Sequence, residues 1–313
     1  MDEKQQSVKE EIKFGQLSTI DEVFNYIKDK SFNHKNYCYY SSLYGIDKIL
    51  DSRFFWMTPL QNCNDLEEPS HNGNKDKKIF CLCFSATFSE NLPMWYLYGG
   101  INGKGARLTF PQKAFKKFIN DDEQSNLKVY QLEYNNENDV IKKELIENSK
   151  YKIECRDIVY YDQDEKKIRF KHNLNANNNI KENDEVILEK FHGFIKALPW
   201  YYEKEFRISI SFKDDSIFEG KDFFGENEPD GKSQHRIAIE IPDEIYRNIG
   251  IMTAPEFSGE IDFNNYAGIT KLLAEKIEKS KYHGKIKMRL KERMCENCNE
   301  NMLCKDCIKK LNT

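Results

Sequence analysis

The first patterned stretch of the chain is helical: Ile20, Val23, Phe24 and Ile27 share one face, and Thr19-Ile20-Asp21-Glu22 has the form of a capping box. The dozen residues at the start carry no such pattern and are expected to fray. Residues 37–40 read as a strand, Ser42 is placed to cap a helix carrying Leu43, Ile46, Ile49 and Leu50, and 54–58 returns as a second strand. Residues 78–84 are apolar on both faces, with Ile79, Cys81 and Cys83 on one and Phe80, Leu82 and Phe84 on the other, which predicts a central strand covered on both sides. Further strands are expected over 106–110, 127–134, 206–212 and 236–241, and helices near 111–119 and 138–152. A longer helix is expected over 184–198, where Ile187, Phe191, Phe194, Ile195 and Leu198 recur at helical spacing until Pro199 stops it. Polar stretches at 172–183 and 213–234 read as loops, the second long enough to serve as a lid or binding segment. The elements predict an α+β body with one curved, mixed β-sheet and peripheral helices.

Composition bounds what this body can be. A chain of 313 residues, 39% hydrophobic and 13% aromatic, can fill one large core or two modest ones. No repeat or low-complexity tract interrupts it. Its longest apolar runs, such as 79–85, fall far short of the roughly 20 residues of a membrane helix, so no membrane association is expected. Met1 to Gln6 lack the basic and apolar features of a signal peptide, and the scattered cysteines of the body suit a reducing compartment, so the expected location is the cytoplasm. A formal net charge of −4 argues against polyanion binding by the whole molecule. Residues 271–313, however, hold twelve Lys and Arg against six Asp and Glu, so any nucleic-acid contact is expected there.

That tail also carries the strongest motif. Cys295, Cys298, Cys304 and Cys307 form two Cys-x-x-Cys hooks separated by five residues, a spacing that closes around one tetrahedral zinc ion. With all four ligands supplied by protein, no position stays open, so the zinc would be structural. Free or disulfide-paired thiols and an iron–sulfur cluster are the alternatives. The neighbouring Lys285, Lys287, Arg289, Lys291, Arg293, Lys305, Lys309 and Lys310 either meet phosphates or solubilise the knuckle.

Within the body three groups of motifs stand out. The first is Tyr37-Cys38-Tyr39-Tyr40-Ser41 with Trp56-Met57-Thr58-Pro59 and Asn64-Asp65-Leu66-Glu67-Glu68. The second is Cys83-Phe84-Ser85 with Met94-Trp95 and Tyr98. The third is Trp200-Tyr201-Tyr202-Glu203-Lys204-Glu205-Phe206-Arg207. In this order, from about Tyr37 to Phe212, they resemble the large bacterial family catalogued as domain of unknown function 2971. Two positions depart from its pattern: Tyr40 stands where the family often has Arg, and Leu66 where it usually has Pro.

The same stations are similar to those of ADP-ribosyltransferases of the Arg, Ser-x-Ser/Thr, Glu-x-Glu kind, which hold NAD in the cleft of a split, curved sheet. The resemblance implies an ADP-ribosyltransferase-like fold, NAD as substrate, and Ser85-Ala86-Thr87 beside the nicotinamide ribose. It makes Glu205 and Glu203 the catalytic pair. Glu205 would stabilise the oxocarbenium charge as nicotinamide leaves, and Glu203 would orient or deprotonate an acceptor, protein or nucleic acid. Residues two apart on a strand share a face, so Glu203, Glu205 and Arg207 would line one cleft with Phe206, Ile208 and Ile210 packed beneath. Trp95 and Tyr98 are core or cleft-wall aromatics, either able to flank nicotinamide or adenine. With Tyr40 in the arginine's place, Arg53, Arg107 or Arg207 would meet the NAD phosphates. Cys81 and Cys83 read as packing residues.

Two other readings stay open. One is a magnesium-dependent nuclease or phosphodiesterase using Asp65, Glu68, Glu203 and Glu205, and the other is a non-enzymatic module binding nucleic acid or protein. NAD chemistry in a family of this kind would suit a toxin or phage-defence effector. The division expected is a helical extension over 1–36, a catalytic α+β domain over 37–284, and a basic zinc knuckle over 285–313.

Overall fold

The computed structural model describes residues 16–63, 78–87, 90–99, 105–119, 127–134, 140–162, 164, 167–169, 184–219, 223, 234–255, 268–269 and 277–283. Helix α1 (Ile20–Lys30) begins at the expected capping box: Glu22 N–H donates to Thr19 Oγ1 at 3.2 Å, and Thr19 N–H donates to the Glu22 carboxylate at 3.1 Å. Asp21 and Glu22 in its first turn and Lys28 and Lys30 in its last complement the helix dipole. Strand β1 (Asn36–Ser42) runs directly into α2 (Leu43–Ser52), where Ser42 Oγ accepts from Gly45 N–H at 3.0 Å. Next come β2 (Phe54–Trp56), β3 (Thr58–Pro59), β4 (Ile79–Ser85), α3 (Leu92–Tyr98), β5 (Gly105–Pro111), α4 (Gln112–Ile119), β6 (Val129–Tyr134), β7 (Val140–Leu145) and β8 (Tyr151–Asp157). The remainder is β9 (Val159–Asp162), β10 (Lys167–Arg169), α5 (Asp184–Lys190), β11 (Ile195–Ala197), a 3-10 helix over Leu198–Glu203, β12 (Glu205–Phe212), β13 (Gln234–Glu240), α6 (Asp243–Tyr246), β14 (Gly250–Thr253) and β15 (Ile277–Lys279).

The described strands form three sheets where one was expected, two of them mixed and one antiparallel throughout. The central sheet has the order β15-β14-β5-β1-β4-β12-β8, with β3 against β4; a second has the order β2-β13-β6-β7, and a third β10-β9-β11. The break falls inside the expected strand 54–58. Phe54 to Trp56 pair with β13, Met57 N–H still donates to Ile237 O at 2.9 Å, and Thr58–Pro59 then cross to β4. β4 lies between β1 and β12 and is buried on both faces, as its pattern predicts.

The largest core lies between the central and second sheets. Leu82, Phe84, Leu108, Phe110, Phe206 and Ile208 face Phe55, Val129, Ile237 and Ile239, with Leu50 of α2 and Phe115 of α4 filling in. Phe84 meets Phe115, Phe55 and Phe110 edge-on at centroid distances of 4.9, 5.6 and 5.6 Å, contacts that add to the burial of each ring. A second cluster joins Val23 and Ile27 of α1 to Val159, Tyr161 and Ile168 of the third sheet and to Ile187 and Phe191. His34, just beyond α1, lies 2.7 Å from both carboxylate oxygens of Asp157 at the end of β8.

Two expected helices take other forms. Residues 138–152 supply β7, a 3-10 turn over Asn148–Lys150, and the start of β8. Pairing with β6 overrides the helix-compatible run of Lys and Glu: Val140 and Ile141 are β-branched, and Lys142 sits opposite Glu133 across the ladder. The helix expected over 184–198 ends at Lys190, because Gly193 has φ +72, and 195–197 leaves to pair with β9 in parallel. Ile187, Phe191 and Ile195 nevertheless pack in one cluster, which is why the helical spacing looked continuous. The expected loop 172–183 lies outside the described residues, as does most of 213–234; Phe223, from the latter, packs on Phe218 at 5.2 Å.

Candidate functional site

One face of the central sheet is committed to the core, and the other carries polar side chains. Direct partners on antiparallel strands share a face. Cys38 of β1 opposes Ser85 of β4, and Ser85 opposes Glu205 of β12, so the three lie in one row. Arg207 opposes Cys83 and Ser209 opposes Cys81 on the same face, while Phe206 and Ile208 point into the core. Glu203 joins them by a different route from the one expected. It ends the 3-10 helix, and Lys204, in the left-handed region at φ 47, separates it from the strand that Glu205 opens.

The link between the two carboxylates is Lys196. Its Nζ lies 2.7 Å from Glu203 Oε2 and 2.7 Å from Glu205 Oε2. Arg207 Nε donates to Glu205 Oε1 at 2.7 Å, and Arg207 Nη1 donates to Gly193 O at 2.7 Å. Tyr98 OH donates to Glu203 Oε1 at 2.5 Å, the Glu205 N–H donates to Tyr160 OH at 2.9 Å, and Ser85 Oγ donates to the Glu203 carbonyl at 2.7 Å. Glu203, Glu205, Lys196 and Arg207 are 3%, 4%, 3% and 0% exposed, so these charges interact with little water between them.

That environment drives the two carboxylates apart. Burial alone raises both. At Glu205 it is outweighed by Arg207 and Lys196, which hold the carboxyl below its usual range. At Glu203 burial and the neighbouring Glu205 charge prevail over Lys196, so its carboxyl sits above its usual value. One carboxyl is held below its usual range and its neighbour above it, the kind of separation from which acid and base roles are assigned. At Lys196 burial alone would lower the ammonium, but the Glu205 and Glu203 charges outweigh it and hold it above its ordinary value, while burial with the Glu203 charge raises the Tyr98 hydroxyl.

The pair forms part of the wall of a cavity of about 280 Å³. Tyr40, Ser85, Tyr98, Glu203 and Glu205, drawn from all three motif groups, line it together. The remaining expected site residues lie behind this wall. Trp95 is buried edge-on against Tyr40 at 4.9 Å and donates from Nε1 to Glu90 at 3.2 Å; Thr87 is buried past the end of β4; Arg207 stands behind Glu205. Of the arginines considered for phosphate, Arg53 lies 3.2 Å over the Tyr246 ring and pairs with Asp243, while Arg107 donates to Tyr40 OH at 3.4 Å from the neighbouring strand.

Sequence reasoning missed Lys196, whose signal was a single charge within the apolar run 194–199, and Tyr160, which had none. It also undervalued Cys83. This thiol lines the cavity and hydrogen-bonds Glu205, and burial followed by the Glu205 charge raises it well above its ordinary value. Asp65, Glu68, Leu66 and the four tail cysteines lie outside the described residues. Among the described residues no group of three or more His, Cys, Asp and Glu side chains could hold a metal ion, and no helix is long and apolar enough to cross a membrane.

A family model described as "Protein of unknown function (DUF2971)" matches residues 94–208. This stretch is similar to that family. The DUF2971 match contains Met94, Trp95 and Tyr98 at one end and Trp200 to Arg207 at the other, so both carboxylates, Lys196 and Tyr160 fall within it. Tyr40 and Ser85, the partners on β1 and β4, precede it. No curated protein and no solved structure matches the chain.

Proposed function

We propose that the chain is an NAD-dependent ADP-ribosyltransferase, or an NAD glycohydrolase where water is the acceptor. The observation that carries this reading is the convergence of Tyr40, Ser85 and Glu205 on one cavity, with Glu205 held ionised beside a Glu203 whose carboxyl is raised above its usual value. Breaking the nicotinamide–ribose bond sends its electron pair to the nicotinamide nitrogen and leaves positive charge on the ribose. A fixed, desolvated carboxylate opposes that charge without reorganising, an effect worth about a hundredfold or more in rate. Glu203 is placed to take the proton from the incoming nucleophile as it bonds to the ribose carbon. The cavity is at the small end of ligand pockets, which span about 300–1,000 Å³, so it suits one ring or sugar with the rest of the dinucleotide along its mouth.

The rival magnesium site loses ground on the same geometry. A cation joining Glu203 and Glu205 would have to displace Lys196, which already bridges them at 2.7 Å on each side. In keeping with the reading, the four tail cysteines hold a structural zinc, the protein acts in the cytoplasm, and its consumption of NAD suits a toxin or antiviral effector. The test is incubation of purified protein with NAD labelled in its adenylate half, with and without bacterial lysate. Released nicotinamide, with label on protein or nucleic acid, or as free ADP-ribose, is expected. Absence of nicotinamide release under both conditions would overturn the proposal.

A further inference from the structure

The polar face of β12 does not end at Glu205. Further along, Ser209 and Ser211 of the same strand open into a second cavity of about 490 Å³, lined also by Glu154 and Arg156 of β8 and Lys190 of α5. Ser209 sits opposite Cys81, which lines the first cavity, so the two adjoin across one strand pair.

Arg156 is the unusual group here. It is 6% exposed, and its guanidinium carbon lies 4.3 Å from the ring centre of Phe24 and 4.5 Å from that of Phe194, so two aromatic rings from different elements fix its plane. A guanidinium has five N–H donors. Among the described residues Arg156 hydrogen-bonds only the Glu154 carboxylate, which is itself shared with Lys152 at 3.3 Å. Burial pulls the guanidinium below its ordinary value in spite of Glu154. A buried cation with one divided partner is costly to retain and is stabilised by a further anion. The wall supplies guanidinium donors from β8, two hydroxyls from β12 and, from α5, the Lys190 ammonium, which pairs with Asp21 at 2.5 Å and stands next to the Glu189 carboxylate. Donors drawn from three separate elements suit a tetrahedral oxyanion better than a flat carboxylate.

We infer that this second cavity is a binding subsite for a phosphate group, with Arg156 as its fixed anchor and Ser209, Ser211 and Lys190 completing the shell. The assignment is independent of the glycosidic chemistry proposed for the first cavity. Its ligand class is a phosphorylated small molecule.

The experiment is calorimetric titration of the full chain with inorganic pyrophosphate, and in parallel with acetate, at constant ionic strength. Wild type should bind pyrophosphate and show no comparable heat with acetate. Arg156→Gln should weaken pyrophosphate binding by about tenfold or more, the loss expected when a hydrogen-bonded charge is removed. Ser85→Ala, in the first cavity, should leave it unchanged. Should Arg156→Gln fail to fold, Lys190→Gln and Ser209→Ala provide the reading, each weakening binding several-fold. No binding by wild type, acetate bound as tightly as pyrophosphate, or affinity unchanged in the folded variants, which would place the anion on the basic tail, would overturn the inference.

Discussion

Lys196 holds two buried carboxylates with one ammonium, so its removal is the sharpest test of the charge cluster. Lys196→Met removes the cation that both Glu203 and Glu205 share, leaving Arg207 on Glu205, and should destabilise the fold by about 3–5 kcal/mol in urea unfolding at pH 7. The deficit should shrink toward acid pH. A carboxyl raised in the folded state favours folding below its unfolded value, near 4.5, and loses that contribution as pH rises through the raised value, as at Glu203. Glu205 is lowered, so its contribution is present above 4.5 and lost as pH falls. The same signs fix the rate profile: ADP-ribose transfer should rise with pH through a pKa above 4.5 that Glu203→Gln removes, while nicotinamide release stays flat. A transfer profile unaltered by Glu203→Gln would remove the base assignment. The carboxylates themselves were legible as Glu-x-Glu beside an apolar strand face. Their Lys196 bridge was not, because on the helix expected over 184–198 that lysine would simply have faced solvent.

At the scale of elements, the decisive feature is the early end of α5. Gly193 adopts φ +72, which turns the chain so that 195–197 pairs with β9 and Lys196 enters the charge cluster. A Cβ at this position would meet only Leu60 Cδ2, at 3.8 Å, so Gly193→Ala tests backbone conformation and not crowding. A loss of about 1–2 kcal/mol in thermal unfolding is expected from the left-handed region alone. A neutral effect would contradict the turn. Strands β1, β5 and β12, and helices α1, α2 and α4, follow from periodicity and caps because each shows an apolar face to the core, and β4 follows from its apolar run on both faces. β7 does not: its side chains are mostly exposed, so its pairing with β6 leaves no hydrophobic pattern to read. The route of 190–204 was hidden for the opposite reason, since one run of apolar residues serves a helix, a turn and a strand that pack in the same place.

For the molecule as a whole, the mixed α+β character was legible in the alternation of strand and helix patterns, but the division into three sheets was not, because it depends on Met57 bridging β2 and β3. The tail makes a separate prediction: protein purified without added metal should contain about one zinc per chain by elemental analysis. Cys298→Ser should lower that content sharply, and four freely titrating thiols with no zinc would contradict it. Everything in the catalytic proposal turns on the buried Glu205 charge opposing a developing cation, and Glu205→Gln removes that charge while preserving size and hydrogen-bonding reach. The direct measurement is nicotinamide release from NAD at pH 7 by wild-type protein and Glu205→Gln, each shown to be folded by circular dichroism and to bind NAD. The account predicts turnover by the wild type and a rate about a hundredfold lower or less in the variant; equal rates in the two would contradict it.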